Sequence, residues 1–371
     1  MAIVGGGLAG LTLSIQCADA GYRVILFEKE SYPFHKVCGE YISNESRDFL
    51  RRCGLPLDEW TLPAIDHLQV SDMQGRVYGF ELPLGGFGIS RYRLDEALYK
   101  IAVQKGVVVK QSSKVNDVVF GSDVFSILTN DTSYTAKLAA GSFGKRSNLD
   151  LKWKREFTGS KPGKLSNLIA VKYHVRYPQP AGTISLHNFE NGYCGISAIE
   201  DGNCCLCYLT TAGNLQRSGN SIKTMEQNML TRNPQLANIF SNAVFLYKEP
   251  LTISQVSFLP KQQVENHVMM LGDAAGLITP LCGNGMSMAM HAAKLAFVQA
   301  DLFLSGKINL AEMEQGYTSS WRENFSSRLL VGRWVQRFFG GSTSTALFLR
   351  LMNAFPAISK QLISSTHGQP F

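Results

Sequence analysis

Three glycines spaced Gly5-x-Gly7-x-x-Gly10 stand between a short apolar run, Ala2-Ile3-Val4, and a helical pattern that lasts to about Ala20. At this spacing the glycines let the backbone turn tightly, approach a pyrophosphate, and pack the helix closely on a sheet. Gly21 stops the helix, Tyr22 to Phe27 reads as the next strand, and Glu28 at its end offers a carboxylate to ribose hydroxyls. Together these form a βαβ unit with the features of a dinucleotide site.

Far along the chain, Leu271-Gly272-Asp273-Ala274-Ala275-Gly276 is followed by Pro280 and by Gly283-Asn284-Gly285-Met286 at the start of a long helical pattern. A carboxylate at a strand end, Asp273, suits ribityl hydroxyls beside a pyrophosphate. The N–H groups and positive dipole end of the following helix suit the flavin edge that gains negative charge on reduction. The expected cofactor is therefore FAD.

The elements that position these residues follow from periodicity. Residues 64 to 84 alternate as a hairpin, and a helix from Leu94 to Gln104 precedes a strand at Val107 to Val109. Strands are expected at 167–176, 183–186, 193–199, 204–210 and 244–257, with one helix near 221–231. Val268 to Leu271 is a buried strand, a helix spans about 286–304, and the remainder is helical. The expected fold class is α/β: a Rossmann-like FAD-binding domain (1–55, 85–150 and 265–310), split by a mainly β substrate domain (56–84 and 151–264), with a helical C-terminal tail (311–371). The first strand is short, which leaves open a few residues upstream.

Composition narrows the class. The chain has 371 residues, 45% hydrophobic and 18% charged, against about 25% charged in typical domains, which excludes disorder, collagen and a small disulfide scaffold. The net charge of +7 gathers in two stretches, 137–164 and 320–371. The first could meet an anionic reductant or donor protein. In the second, an imperfect amphipathic helix over 321–339 has Arg328 on its apolar side and suits docking on its own protein, with membrane-surface contact as the alternative. Neither stretch carries a nucleic-acid-binding module.

The opening residues do not read as a signal peptide, and the eight cysteines lead us to expect a reduced cytoplasmic compartment. Cys204 and Cys207 have Cys-x-x-Cys spacing, but a strand turns them to opposite faces and no second pair exists, so no metal is expected. The uncharged run between Asp273 and Lys294 contains too many loop formers to cross a bilayer.

Gly5-x-Gly7-x-x-Gly10, Arg91-x-x-Leu94-Asp95 and Gly272-Asp273-Ala274-Ala275-Gly276 with Gly283-x-Gly285 resemble the FAD-dependent aromatic hydroxylase (flavin monooxygenase) superfamily. The segment Pro33-Phe34-His35-Lys36-Val37-Cys38-Gly39-Glu40 is similar to that of geranylgeranyl reductases. The resemblance implies that Gly5, Gly7 and Gly10 meet the pyrophosphate, Glu28 the ribose, Arg91 the phosphates or adenosine, and Val115 the adenine through its backbone. It places Asp273 on the ribityl chain, Gly283, Asn284, Gly285 and Met286 at the flavin edge, Lys36 and Cys38 near the ring, and Glu40 and Cys282 toward substrate. Cys38, Tyr193 and His187 are the catalytic candidates, and His291 is expected to be packed.

Two departures qualify the resemblance. Phe143 stands where the hydroxylases carry an acid associated with the reductant, so the donor is either NAD(P)H or a reduced carrier protein. Gly192-Tyr193-Cys194-Gly195 lacks the tryptophan of the reductases, and the Trp-x-Trp motif of flavin halogenases is absent. The expected activity is oxidoreduction of an apolar or aromatic small molecule, by hydride reduction of a C=C bond or by flavin hydroperoxide oxygenation. A flavin-dependent halogenase and a non-catalytic FAD-fold chaperone are the alternatives.

Overall fold

A computed structural model describes residues 1–159 and 166–371. The βαβ unit forms as its glycines require. Ala2–Val4 and Ile25–Phe27 pair in parallel on either side of the helix Leu8–Asp19. A Cβ at Gly10 would stand 2.1 Å from the Gly5 carbonyl oxygen, so only glycine lets this helix lie against the turn. Val108–Lys110 extends the sheet on one side, and Ala139–Gly141, Val268–Met270 and Val264–Glu265 extend it on the other, the last pair antiparallel. A six-stranded sheet thus draws strands from both ends of the chain, as the split pattern implied. Its core holds Ile3, Leu11, Leu26 and Met269, all fully buried.

The second sheet has nine strands and begins earlier than the sequence suggested. Tyr41–Ser43 pairs with the hairpin strand Val77–Gly88, whose partner Ala64–Ser71 runs parallel to Gly182–Phe189. Antiparallel Gly192–Ala198, Cys204–Thr211 and Leu168–Arg176 complete the centre. The expected strand 244–257 is two pieces, Val244–Phe245 and Leu251–Val256. Pro250, which has no N–H to give to a ladder, lies in the break.

Two short helices outside the expected elements, Ala212–Arg217 and Pro234–Asn242, join Ile222–Asn228 over the outer face. They cover a core of Val171, Tyr173, Cys204, Leu206 and Tyr208. Cys204 lies in this helix-covered core while Cys207, three residues on, does not, which is the two-faced arrangement read from the strand. A separate three-stranded sheet spans Val115–Ala136. The chain ends in three helices, Leu310–Gln336, Ser342–Ala354 and Pro356–Thr366. Arg328 is buried within the first, facing Glu45 at 3.6 Å, so its place on the apolar side has an ionic partner. No helix among the described residues is long and apolar enough to cross a membrane.

The two large sheets meet at one carboxylate. Glu40, with φ 56°, sits at the end of the 33–40 loop and is fully buried. One oxygen accepts from the ammonium of Lys172, also fully buried, and from the Arg91 N–H at 2.8 Å. The other lies 2.6 Å from His174 Nε2. Burial opposes the charge on Glu40, yet His174 and Lys172 hold it below the usual glutamate range. A depressed native pKa gives stability above the ordinary glutamate range, lost as pH falls through the native value. Removing one partner strands a buried charge, at a typical cost of about 3–5 kcal/mol, whereas removing both is far milder. Lys172→Met is therefore expected to lower unfolding free energy by about that amount, and Glu40→Gln with Lys172→Met by clearly less. Urea unfolding at neutral pH reads both, and equal losses would contradict the assignment.

Candidate functional site

The first turn of Leu8–Asp19 has no side-chain cap, because Gly7 stands at the N-cap and leaves the terminal N–H groups to a ligand. The side of Gly7 that a Cβ would fill faces Lys36 Nζ at 3.7 Å and Arg91 Nη2 at 3.8 Å. Arg91 is aimed by its own helix. Ser90 caps Arg91–Gln104 by accepting from the Arg93 N–H at 3.1 Å, and Glu200 in turn accepts from the Ser90 N–H at 2.8 Å. Asp95, one turn on, grips the Arg91 guanidinium at 2.7 and 2.8 Å and holds Lys36 at 3.1 Å.

Asp273 lies within the field of the same cations. Burial pushes its carboxyl up, while Lys261, Arg91, Lys145 and Lys36 pull it down. Burial lowers Lys145 and Lys261 to about 8. Four cations thus surround two carboxylates, Asp95 and Asp273, and the surplus matches a doubly charged pyrophosphate beside an open helix N-terminus. These residues fit the diphosphate of a dinucleotide.

Glu28 is 6% exposed, with its carboxylate accepting from the Gly6 N–H at 2.8 Å and the Glu30 N–H at 3.1 Å. It therefore shapes the turn as well as standing at the strand end. Val115 is buried, and its carbonyl accepts from Asn148 Nδ2 at 3.3 Å. The basic stretch 137–164 is not one surface. Arg155 is buried and paired with Asp150 at 2.8 Å, and Lys145 donates to the Ser254 carbonyl. Lys161 and Lys164 lie outside the described residues.

At the other cradle, Gly283 adopts a left-handed φ of 62° after the turn Pro280–Cys282, and Gly285–Leu304 starts with no side-chain cap. Asn284 is fully buried, but its Nδ2 donates to the Thr366 carbonyl at 3.0 Å. Its amide nitrogen is thus turned to the C-terminal segment and away from the cradle. Met286 is buried in the core.

The Glu40 cluster was not legible as a whole. Lys172, His174 and Tyr247 are the residues that sequence reasoning missed. Lys172 and His174 stand two apart in an otherwise apolar strand, a pattern that puts both on one face and could have flagged them. Lys172 also donates to the Lys36 carbonyl at 3.0 Å, and Tyr247 hydroxyl lies 2.6 Å from His174 Nδ1 and 3.1 Å from His35 Nε2. Cys205 Sγ donates to the Cys38 carbonyl at 3.1 Å. Ligating atoms of Glu40, His174 and Cys205 lie within 4.8 Å of one another, but the Lys172 ammonium holds one Glu40 oxygen, and the group reads as an ion-pair cluster. Glu40 is accordingly corrected from a substrate contact to a buried tie between the sheets. Cys38 remains half-buried beside it, with its thiol raised by burial and therefore protonated.

His187 is likewise corrected. Leu186 lines the inner face of the sheet, so His187 points to the other. There its Nδ1 lies 3.0 Å from the Ser71 hydroxyl, and burial lowers its pKa to about 4. His291 stacks on Phe371 at 4.3 Å, packed as expected. Tyr193 is on the inner face, 3% exposed, its hydroxyl set against the Leu281 backbone.

That inner face bounds a small cavity of about 80 Å3, partly open to solvent. Leu68, Val70 and Leu186 line it from the sheet, Leu281 and Cys282 from the turn before Gly283, and Phe348 from the C-terminal helices. Cys282 is the one ionisable group among the described lining residues, and burial raises its thiol to about 11.

Comparison with known proteins agrees with this geometry. Residues 3–39 match the model of the NAD(P)-binding Rossmann-like domain. Conditioned medium factor receptor 1 of Dictyostelium discoideum is 22% identical, the match covering 91% of this chain and 71% of that protein. The FAD-dependent monooxygenase ausM of Penicillium brasilianum is 26% identical over 79% of this chain and 67% of its own. A geranylgeranyl bacteriochlorophyll reductase-like protein from Thermoplasma acidophilum superposes with a TM-score of 0.77 and 17% identity, covering 100% of this chain and 96% of that one. In fold, therefore, the chain is similar to FAD-dependent monooxygenases, halogenases and geranylgeranyl reductase-like proteins, which share one architecture.

Proposed function

We propose that the chain is an FAD-dependent oxidoreductase that reduces a carbon–carbon double bond in an apolar, chain-like substrate held in the inner cavity. The observation that carries this reading is the cavity wall: mostly aliphatic and aromatic, its polar groups among the described residues being the Ser359 and Thr366 hydroxyls and the Cys282 thiol, with no base to activate a phenol, and joined to the Gly283 turn by Leu281 and Cys282. Gly5, Gly7, Gly10, Lys36 and Arg91 would hold the pyrophosphate, Glu28 and Val115 the adenosine, Asp273 the ribityl chain, and the N–H groups of Gly285 and Met286 the flavin edge. Reduced FAD would supply a hydride equivalent.

The protein's own part is binding, exclusion of water and proton delivery. Leu68, Leu186 and Leu281 offer the substrate contacts without hydrogen-bonding demands, and water is displaced as an apolar chain enters. The Cys282 thiol is neutral at pH 7 because burial raises it, although the Thr279 hydroxyl at 3.4 Å favours the thiolate. It can hold a proton at Sγ for the carbon that does not receive hydride. Tyr193, buried on the same face with its hydroxyl against the Leu281 backbone, is a second protic group for that role or for orienting substrate. Cys38 is left as a contact of the ring region. The reductant is NAD(P)H or a reduced carrier, and Phe143 in place of an acid favours the carrier.

Purified protein is expected to show flavin absorbance or to gain it with added FAD. Gly7→Val, which fills the space facing Lys36 and Arg91, should weaken FAD binding by about tenfold or more with folding retained. A colourless protein that gains no flavin absorbance would sink the reading. In anaerobic single turnover, dithionite-reduced protein mixed with geranylgeraniol should reoxidise and yield a dihydro product. Product formation that needs oxygen would support the monooxygenase, and product that needs oxygen and halide the halogenase.

Cys282→Ala should slow this step by about a hundredfold or more while FAD binding is unchanged. Because the acid must be protonated, the wild-type rate should stay flat through neutral pH and fall as pH approaches about 11. An unaltered rate in Cys282→Ala would remove the thiol from the mechanism.

A further inference from the structure

The three closing helices are apolar on two sides. Val335, Leu349, Met352 and Ile363 turn inward to the cavity. Leu330 and Trp334 turn outward at 63% and 49% exposure, Leu347 and Leu351 at 67% and 50%, and Phe355 and Ile358 at 50% and 53%. Leu330 with Trp334, and Leu347 with Leu351, are each four residues apart and so share a helix face. Aromatic contacts of Trp334 and Phe338 with Phe348, at 6.4 and 5.0 Å, tie the first two helices together. Scattered exposed apolar residues are ordinary, but six of this size between residues 330 and 358 form a patch.

The charge that these helices themselves carry from Asn324 onward has one sign. From Asn324 to Phe371 there is no Asp or Glu, while Arg328, Arg333, Arg337, Arg350 and Lys360 are present. Arg328 is turned inward to Glu45. The other four have no ion pair among the described residues, and Arg337, Arg350 and Lys360 are exposed. A second copy of the chain is a poor occupant. A two-fold contact would bring the patch against itself, setting these cations against cations with no acid to pair them. An anionic bilayer meets both demands, with acyl carbon for the apolar side chains and phosphate oxygens for the rim.

We propose that the outer face of these helices docks peripherally on an anionic lipid surface, whatever reaction the flavin site performs. The test is flotation of the full FAD-loaded chain with vesicles of phosphatidylcholine alone and of phosphatidylcholine with phosphatidylglycerol. Binding is expected on the anionic vesicles, weakening as salt rises. Leu347→Glu with Leu351→Glu, both at exposed positions, should lower partitioning by about tenfold or more with unchanged FAD content. Arg337→Gln, Arg350→Gln and Lys360→Gln together should remove the preference for anionic lipid. The proposal is overturned if the wild type floats with neither vesicle, if these variants bind as it does, or if the chain forms dimers that the leucine substitutions dissolve.

Discussion

The structure depends on a carboxylate that water does not reach. Glu40 ends the loop that carries Lys36 and Cys38, and its two oxygens are shared among Lys172 and His174 of the nine-stranded sheet and the N–H of Arg91. One residue thereby sets the distance from the sheet to the loop and to the helix that aims the phosphate-facing arginine. A buried ion pair contributes little net stability against an apolar substitute, because desolvation offsets attraction. What it supplies is geometry, since only one arrangement satisfies every member. A slip of the sheet against the six-stranded unit would leave Lys172 or Glu40 charged and unpaired in a dry interior.

The same logic runs at lower burial around the diphosphate cradle. Lys36, Arg91, Lys145 and Lys261 repel one another, and Asp95 and Asp273 compensate them only in part. Lys261 is further anchored to the backbone carbonyls of Lys145 and Asp273, both at 2.7 Å. The site is held together by hydrogen bonds while its charge stays unbalanced, which is the condition for drawing in a polyanion. The part of the 137–164 stretch that seemed free for a partner is thus partly internal. Lys145 turns toward Ser254, and Arg155 braces Asp150 and the Ala274 carbonyl at 3.0 Å.

Local signals were legible where a single element makes the feature. The glycine spacing, the buried strand Val268–Met270 before Asp273 and the helix that opens at Gly285 each need only neighbours in sequence, and each lies within a residue or two of where the pattern put it, although Asp273 itself stands in the turn Gly272–Ala274 beyond the strand. His187 was misplaced because alternation along Gly182–Phe189 had not been anchored to either face, and a shift of one residue exchanges core and far side. The helix Ala212–Arg217 was too short for a periodic signal, whereas Pro234–Asn242 carries one in Leu236, Ile239 and Phe240 and a helix start in Asn233 followed by Pro234, and was legible. The Glu40 cluster joins residues more than 130 positions apart, for which sequence spacing carries no information.

The C-terminal helices show how a cavity constrains the surface behind it. The closing helices line the cavity with one face and meet solvent with the other, and their inner face is largely apolar, Cys282 being the one ionisable group among the described lining residues. That lining takes Val335, Leu349 and Met352 and leaves the opposite face free to be polar, as it is along Arg322 and Glu323. From Leu330 onward it is not: leucine, tryptophan and phenylalanine recur outside, with cations and no acids between them. Core packing gives no reason for this second apolar face, and unpaired arginines oppose simple aggregation. The combination suits an apolar, anionic environment pressed against a wall whose other side lines an apolar cavity.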